Sequence, residues 1–275
     1  MYGESEHTPQ AIAGRSYQVR IGQYLTEGWQ IFSTQPLAYI GFFILVSMVN
    51  VVLNNIPGAG LVVSTILAGL FSAGYYFFGF QIARNQRPEF THFFGAFKNN
   101  YFLPVFLTNL IISLITNLFV LSAGVLFLVA GLPFLQSVLE QGAVEGAASE
   151  ADTRQLLTLL DQLPRFPEVL TPVLILGGIL LLLLGIYFGV AYLFALPLVV
   201  EHRFDVWPAL ETSRRLISRS WWSFFFLNVS IIFFHILGLC LCGVGLLVTI
   251  PWSSCVIVAA YRDIIGLIPS IRDTN

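Results

Sequence analysis

Charge is scarce in this sequence. Of its 275 residues only 10% are Asp, Glu, Lys or Arg, while 56% are hydrophobic. Soluble domains carry about 25% charged residues, so a soluble globular fold is excluded. Lysine is scarcer still. Lys98 is the single one, and the net charge is -2, so the basic surface that a nucleic-acid binder needs is missing. Three cysteines, Cys240, Cys242 and Cys255, do not make a disulfide framework. None has a histidine or acid at metal-ligand spacing. His7, His92, His202 and His235 are scattered, and no nucleophile–base motif is present. These absences point away from an enzyme and from any metal or cofactor.

What is there is length without charge. Fifty-six uncharged residues separate Glu27 from Arg84, 41 separate Lys98 from Glu140, 32 separate Glu168 from Glu201, and 42 separate Arg219 from Arg262. One spanning helix needs about 20 apolar residues, and a charge at mid-bilayer costs roughly 2.5–3.5 kcal/mol. The first run splits at Asn54-Asn55-Ile56-Pro57-Gly58-Ala59-Gly60, and the fourth at Cys242-Gly243-Val244-Gly245, both turn chemistry. The expectation is an all-α polytopic membrane protein. Its six transmembrane helices fall near 37–54, 61–83, 102–131, 170–198, 221–241 and 245–262. Pro133 and Pro197 could break or kink helices 3 and 4 near their ends.

Six spans put both termini on one side. Eleven basic residues then share that side: Arg15, Arg20, Arg84, Arg87, Lys98, Arg203, Arg214, Arg215, Arg219, Arg262 and Arg272. Arg154 and Arg165 alone lie opposite. The positive-inside rule makes the side with eleven cytoplasmic, giving a multi-pass inner-membrane protein with N- and C-termini inside. The first 36 residues hold five charges and no apolar core of signal type, so helix 1 is expected to be retained. The domain reading is a flexible tail over 1–16, one membrane domain over 17–266, and a tail over 267–275. An acidic extracytoplasmic insertion at 136–168 is expected to carry a short leucine-rich amphipathic helix before Pro164.

The two terminal hairpins look alike. Gly58-Ala59-Gly60-Leu61-Val62-Val63 matches Gly243-Val244-Gly245-Leu246-Leu247-Val248, each at an outer turn where glycine admits positive φ. Apolar residues at helical spacing precede each hairpin: Tyr17, Ile21, Tyr24, Leu25, Gly28 and Phe32; then Phe90, Phe93, Phe94 and Phe97; then Val206, Leu210, Leu216 and Ile217. The chain therefore reads as three hairpins, each preceded by a cytoplasmic amphipathic helix lying in the interface, apolar side down.

A family resemblance rests on Gly74-Tyr75-Tyr76, on Arg84-Asn85-Gln86-Arg87-Pro88-Glu89-Phe90 and on Phe93-Phe94-Gly95-Ala96-Phe97-Lys98. It continues through Phe194-Ala195-Leu196-Pro197-Leu198-Val199-Val200, Trp207-Pro208-Ala209-Leu210-Glu211-Thr212-Ser213-Arg214-Arg215 and Trp221-Trp222. It closes with Cys242 to Pro251 and Ala260-Tyr261-Arg262-Asp263. This order resembles a broad group of bacterial integral membrane proteins of unknown function, similar to the membrane region attached to some glycerophosphodiester phosphodiesterases. The resemblance covers most of 17–266. It implies a six-helix inner-membrane domain and carries no catalytic residue or enzyme activity across, because the phosphodiesterase chemistry belongs to a separate soluble domain.

Two sets of residues are candidates for function. Arg214, Arg215 and Arg219 precede Trp221 and Trp222. That arrangement suits contact with anionic lipid or an acidic partner, and equally an orientation signal paired with Glu211 and Asp205. Asn109, Ser113, Thr116 and Asn117 form one polar face of helix 3, which Asn50 on helix 1 and Asn228 and His235 on helix 5 could meet. Such residues serve as interhelical glue or as a polar path. Gly178, Gly185 and Gly189 on helix 4, the last two as GxxxG, permit close helix approach within the chain or in a homo-oligomer. The leading expectation is a non-enzymatic structural or interaction component that engages lipids or a partner through its cytoplasmic amphipathic helices. The alternative is a transporter or permease-like subunit with a polar path between helices 1, 3 and 5.

Overall fold

Proline, glycine and charge set most of the helix limits. The computed structural model describes residues 8–56, 59–144, 170–241 and 243–268, and every regular element among them is helical. Helix α1 (Pro9–Gly14) is capped by Thr8, whose hydroxyl accepts the Ala11 N–H. Helices α2 (Ile21–Thr34) and α3 (Pro36–Asn54) are separated by Gln35 alone. Pro36 suits the first turn of α3, where its missing N–H has no intrahelical partner in any case. Helix α4 is Ala59–Ala83, a 3₁₀ helix covers Phe90–Phe97, and α5 is Asn99–Val144. Then follow α6 (Thr171–Ala191), α7 (Ala195–His202), α8 (Val206–Ser218), α9 (Trp221–Cys240) and α10 (Leu246–Ile264). Six stretches are long and apolar enough to cross a bilayer: Pro36–Asn54, Val63–Ala83, Asn100–Pro133, Thr171–His202, Trp221–Cys240 and Leu246–Ile264. That marks a multi-pass membrane protein.

Three expected elements differ. Helix α5 does not stop near 131 but runs through Pro133 to Val144, as membrane helices tolerate proline. It thus enters the stretch expected as an insertion at 136–168. Residues 145–169 lie outside the described residues, and with them the expected leucine-rich helix, as do 1–7, 269–275, Gly58 and Cys242.

The fourth span is broken. Tyr192 to Phe194 turn between α6 and α7. In a continuous helix the ring of Pro197 would clash with the carbonyl four residues back, at Leu193. Buried Ser213 of α8 satisfies the break: its Oγ donates to the Ala191 carbonyl at 2.8 Å and accepts the Phe194 N–H at 3.1 Å.

The phenylalanine segment, expected as an amphipathic α-helix, is 3₁₀. Its three-residue turn puts Phe90 above Phe93 and Phe94 above Phe97. Glu89 and His92 cap it reciprocally.

Leu114–Tyr187 clusters as a compact unit, and the rest of the chain as another. In the larger unit α10 is central, packing against α2, α3, α4 and α9. It buries Trp252, Cys255, Val256, Val258, Ala259, Ala260 and Tyr261. Helix α2 reaches it through Gly28, where a Cβ would stand 2.6 Å from a Val256 methyl. The apolar faces of α2 and α8, expected to lie on lipid, are instead packed on protein: Tyr24, Ile31 and Phe32 on α2, and Leu210, Leu216 and Ile217 on α8, are buried. Phe93 anchors an aromatic core. Its ring stacks between Phe42 at 4.2 Å and Phe78 at 4.0 Å, with Tyr39 edge-on at 5.7 Å. The turn between α9 and α10 uses Gly243 at φ +77°, the left-handed conformation expected for that glycine.

The smaller unit pairs the later part of α5 with α6. Gly178 lies under Phe127, and Gly185 under Val120 and Phe119. Gly189 is exposed, so the seam repeats at seven residues through Gly178 and Gly185 rather than through the GxxxG pair. Leu118, Leu121, Val125 and Leu128 on α5 and Leu176, Leu180 and Leu183 on α6 face outward, as residues that contact acyl chains do.

Gly185→Leu should lower the detergent melting temperature relative to Ile179→Leu. A Cβ at Gly185 already meets Val120 at 3.1 Å, whereas Ile179 is 43% exposed. Overpacking of this type costs about 1–3 kcal/mol. Equal melting temperatures for the two variants would remove the seam.

Candidate functional site

Several charged side chains of the larger unit form ion pairs that link one helix to another. Arg84 follows α4, and Glu201 lies in the last turn of α7. They form an ion pair in which the Glu201 side chain is 4% exposed and that of Arg84 17%. Between them they hold the chain after α10. Ile268 N–H donates to Glu201 Oε1 at 2.8 Å, and Arg84 Nε donates to the Ile268 carbonyl at 3.3 Å. Beside this clasp, His202 Nδ1 lies 2.6 Å from the Tyr261 hydroxyl.

A second group ties α2 to the end of α10. Asp263 accepts from Arg20 at 2.7 Å and from the Tyr24 hydroxyl at 2.8 Å, while Arg262 donates to Glu27 at 2.8 Å. Burial raises the Tyr24 phenol above its ordinary pKa, and the Asp263 hydrogen bond raises it further. It therefore remains a neutral donor. Arg15 donates to the Ile265 carbonyl, and Tyr17 to the Leu216 carbonyl at 2.5 Å. In the sequence Glu201 marks the limit of an uncharged run, and Arg84 and Arg262 do so while adding to the basic excess; none of this shows them as partners, because Arg84 and Glu201 are 117 residues apart.

The arginine cluster expected on the 4–5 segment is partly internal. Arg214 makes two hydrogen bonds to Glu211, at 2.9 and 2.8 Å, and Arg215 one at 2.6 Å. Glu211 is held down to about 2 from an ordinary 4.5, first by the Arg214 hydrogen bond and then by Arg215, against the opposing effect of burial. Arg219 donates to the Arg15 carbonyl at 3.4 Å. Trp221 stacks on Phe225 at 5.2 Å and meets Trp222 edge-on at 5.0 Å. Arg215 remains 61% exposed. Three tryptophans open outward in this unit: Trp29 on α2 at 52%, Trp207 on α8 at 72% and Trp222 on α9 at 67%.

Asn50, Asn228 and His235, expected along a polar path, each find a partner close by in sequence. Asn50 donates to the Val46 carbonyl and Asn228 to that of Phe224, and His235 Nδ1 lies 2.8 Å from the Ile231 carbonyl, each within its own helix. Helix α3 packs on α4 and α10, and α9 on α10. Asn109 lies against Gly69 of α4. In the smaller unit Thr116 Oγ1 is buried without a hydrogen-bond partner, while Asn117 is exposed. Ser113 is half-buried. Among the described residues no group of three or more His, Cys, Asp or Glu side chains stands close enough to hold a metal ion.

A family model described as "Protein of unknown function (DUF975)" matches residues 30–267, and the chain belongs to that family. No curated protein and no solved structure matches it.

Glu201→Gln should destabilise the fold by about 3–5 kcal/mol, because it leaves the buried Arg84 charge uncompensated. The double variant Arg84→Met, Glu201→Leu should recover much of that loss, and thermal unfolding in detergent reads both. Wild-type stability in Glu201→Gln would remove the clasp from the account.

Glu211 makes a separate, pH-dependent contribution. Its folded pKa lies below the ordinary 4.5, so the stabilisation is complete above that value and is lost as pH falls through about 2. Across this window the wild-type melting temperature should fall more steeply than that of Glu211→Gln.

Proposed function

We propose that this family member is a non-enzymatic protein of the bacterial inner membrane, a structural or interaction component whose basic end faces the cytoplasm. It engages anionic lipids there through the outward sides of α2 and α8 and the start of α9. The observation that carries this reading is the set of exposed tryptophans, Trp29, Trp207 and Trp222. Indole rings concentrate at the membrane–water interface because they are apolar bodies with one N–H donor. Tryptophans at that depth bring Arg215 and Arg219 level with lipid phosphates, where each near-surface charge contributes about 1 kcal/mol.

In this reading α2, the 3₁₀ segment and α8 keep the roles of three interface segments that each precede a membrane hairpin. Their apolar sides bind protein, and Trp29 of α2 and Trp207 of α8 bind the headgroup layer. The excess of eleven basic residues over two sets the orientation, with both termini inside. The resemblance to the membrane region attached to some glycerophosphodiester phosphodiesterases belongs to the same reading, without that enzyme's activity. What supports it over a polar path is that Asn50, Asn228 and His235 each turn to a carbonyl of their own helix.

Two measurements test the proposal. Single cysteines replacing Arg87 and Arg215 should resist membrane-impermeant labelling from outside intact cells, and labelling of the Arg215 position would overturn the orientation. Replacing Arg214, Arg215 and Arg219 by glutamine should lower the number of phosphatidylglycerol molecules retained in native mass spectrometry. Glu211→Gln, which releases two of those arginines, should raise it. Unchanged retention in both variants would reduce the cluster to an orientation signal.

A further inference from the structure

The ends of α4 and α7, the 3₁₀ helix and the start of α5 line two adjoining open cavities, of about 570 Å³ and 450 Å³. Their shared walls are Phe77, Gln81, Tyr101 and Arg203. Arg84 and Glu201 line the first and neutralise each other. The second adds Lys98 and His92 and no carboxylate. The pair of cavities is therefore net positive, with amide, phenol and imidazole groups beside the charges and a phenylalanine floor. Three spans end at this level, at Ala83, Asn100 and His202, which is the depth of the headgroup layer.

Arg203 is held where both cavities meet. Its Nε donates to the Tyr101 hydroxyl at 2.8 Å, and its guanidinium lies 5.3 Å from the centre of the same ring. The phenol thus fixes the arginine and leaves its terminal amino groups uncommitted to that bond. The backbone supplies an independent observation. Arg203 caps α7 at φ 54°, ψ 33°, a left-handed position that glycine or asparagine fills at lower cost. Strain of this kind at a cavity wall is a pointer to function.

We propose that these cavities form a binding site for a phosphate-bearing anion, with Arg203 and Lys98 as its charged contacts and Gln81 and Tyr101 as polar ones. A guanidinium presents two parallel donors to phosphate, and an ammonium adds a point charge. The anion is the headgroup of an acidic phospholipid or a small soluble phosphate compound, since both present the same oxygens at this depth. The site uses none of Arg214, Arg215 and Arg219 and goes beyond the lipid contact assigned to them.

Lys98 is the single lysine, so its modification by an amine-reactive ester, read on the proteolytic peptide that carries it and thus apart from the α-amino group, is a site-specific reporter. The protein in maltoside micelles is titrated with inorganic phosphate against chloride at matched ionic strength. In parallel it is titrated with dioleoylphosphatidylglycerol against dioleoylglycerol, which lacks the phosphate. One probe or both should slow Lys98 modification several-fold and raise the melting temperature. Protection by inorganic phosphate indicates a soluble ligand, and protection by the phospholipid alone a headgroup.

Arg203→Gly supplies the decisive variant. Glycine suits the left-handed cap, so the fold should keep its melting temperature. The protecting probe should bind about ten-fold more weakly, the low end for a lost charge-assisted hydrogen bond. If that variant does not fold, Lys98→Gln, altered at an exposed position, should show a reduced thermal shift with the same probe. Absence of protection by either probe, or undiminished binding in the variant that folds, overturns the site, whatever the arginine cluster on α8 does.

Discussion

A charge buried without a partner where α4 and α7 end would be too costly to keep, and Arg84 and Glu201, both largely buried, answer that constraint together. The pair joins two spans far apart in sequence and closes on the backbone of Ile268. Glu201 Oε1 accepts from both Arg84 and the Ile268 N–H, and Arg84 also donates to the Ile268 carbonyl, the kind of added hydrogen bonding that lets a buried ion pair be tolerated. Around it the other charged helix ends fall into place. Asp263 binds α2 through Arg20 and Tyr24, and Arg262 binds Glu27. The uncharged middle of the bundle is consequently matched by a densely paired polar end.

Within the spans, contact geometry replaces charge. Lipid tails are as apolar as leucine, so helices associate in a bilayer through close packing rather than through burial from water. Phe93 between Phe42 and Phe78 and Gly28 against Val256 are the close contacts of the larger unit. Gly185 against Val120 plays that part in the smaller one. Breaks in regular structure follow the same economy. Ser213 supplies the donor and acceptor that the α6–α7 turn would otherwise leave unmet, which matters more in a low-dielectric interior than in water.

Function, on this account, lies at the polar end. Some of its arginines are consumed by structure: Arg84 by Glu201, and Arg214 by Glu211. Others stay on the surface, as Arg215 does at 61% exposure while also bonding Glu211. Arg203 belongs to neither group, held in a strained cap at the wall of two cavities. Local composition does not separate these roles, because all are arginines in the charged segments between apolar runs.

The six spans were legible in the sequence because the cost of a charge in hydrocarbon leaves long uncharged runs, and that cost does not depend on the fold. Gly243 at its turn was legible for an equally local reason, positive φ. Tertiary structure decided the rest. The spacing of Phe90, Phe93, Phe94 and Phe97 is compatible with both α and 3₁₀ turns, and only the slot between Phe42 and Phe78 selected the second. Pro197 announced a possible break, but the Ser213 hydroxyl that satisfies it comes from another helix. Whether an apolar helix face meets lipid or protein is invisible in its own pattern, because both partners present the same surface chemistry. Arg84 and Glu201 could be seen as ends of runs and not as partners, since an ion pair is a property of distance in space.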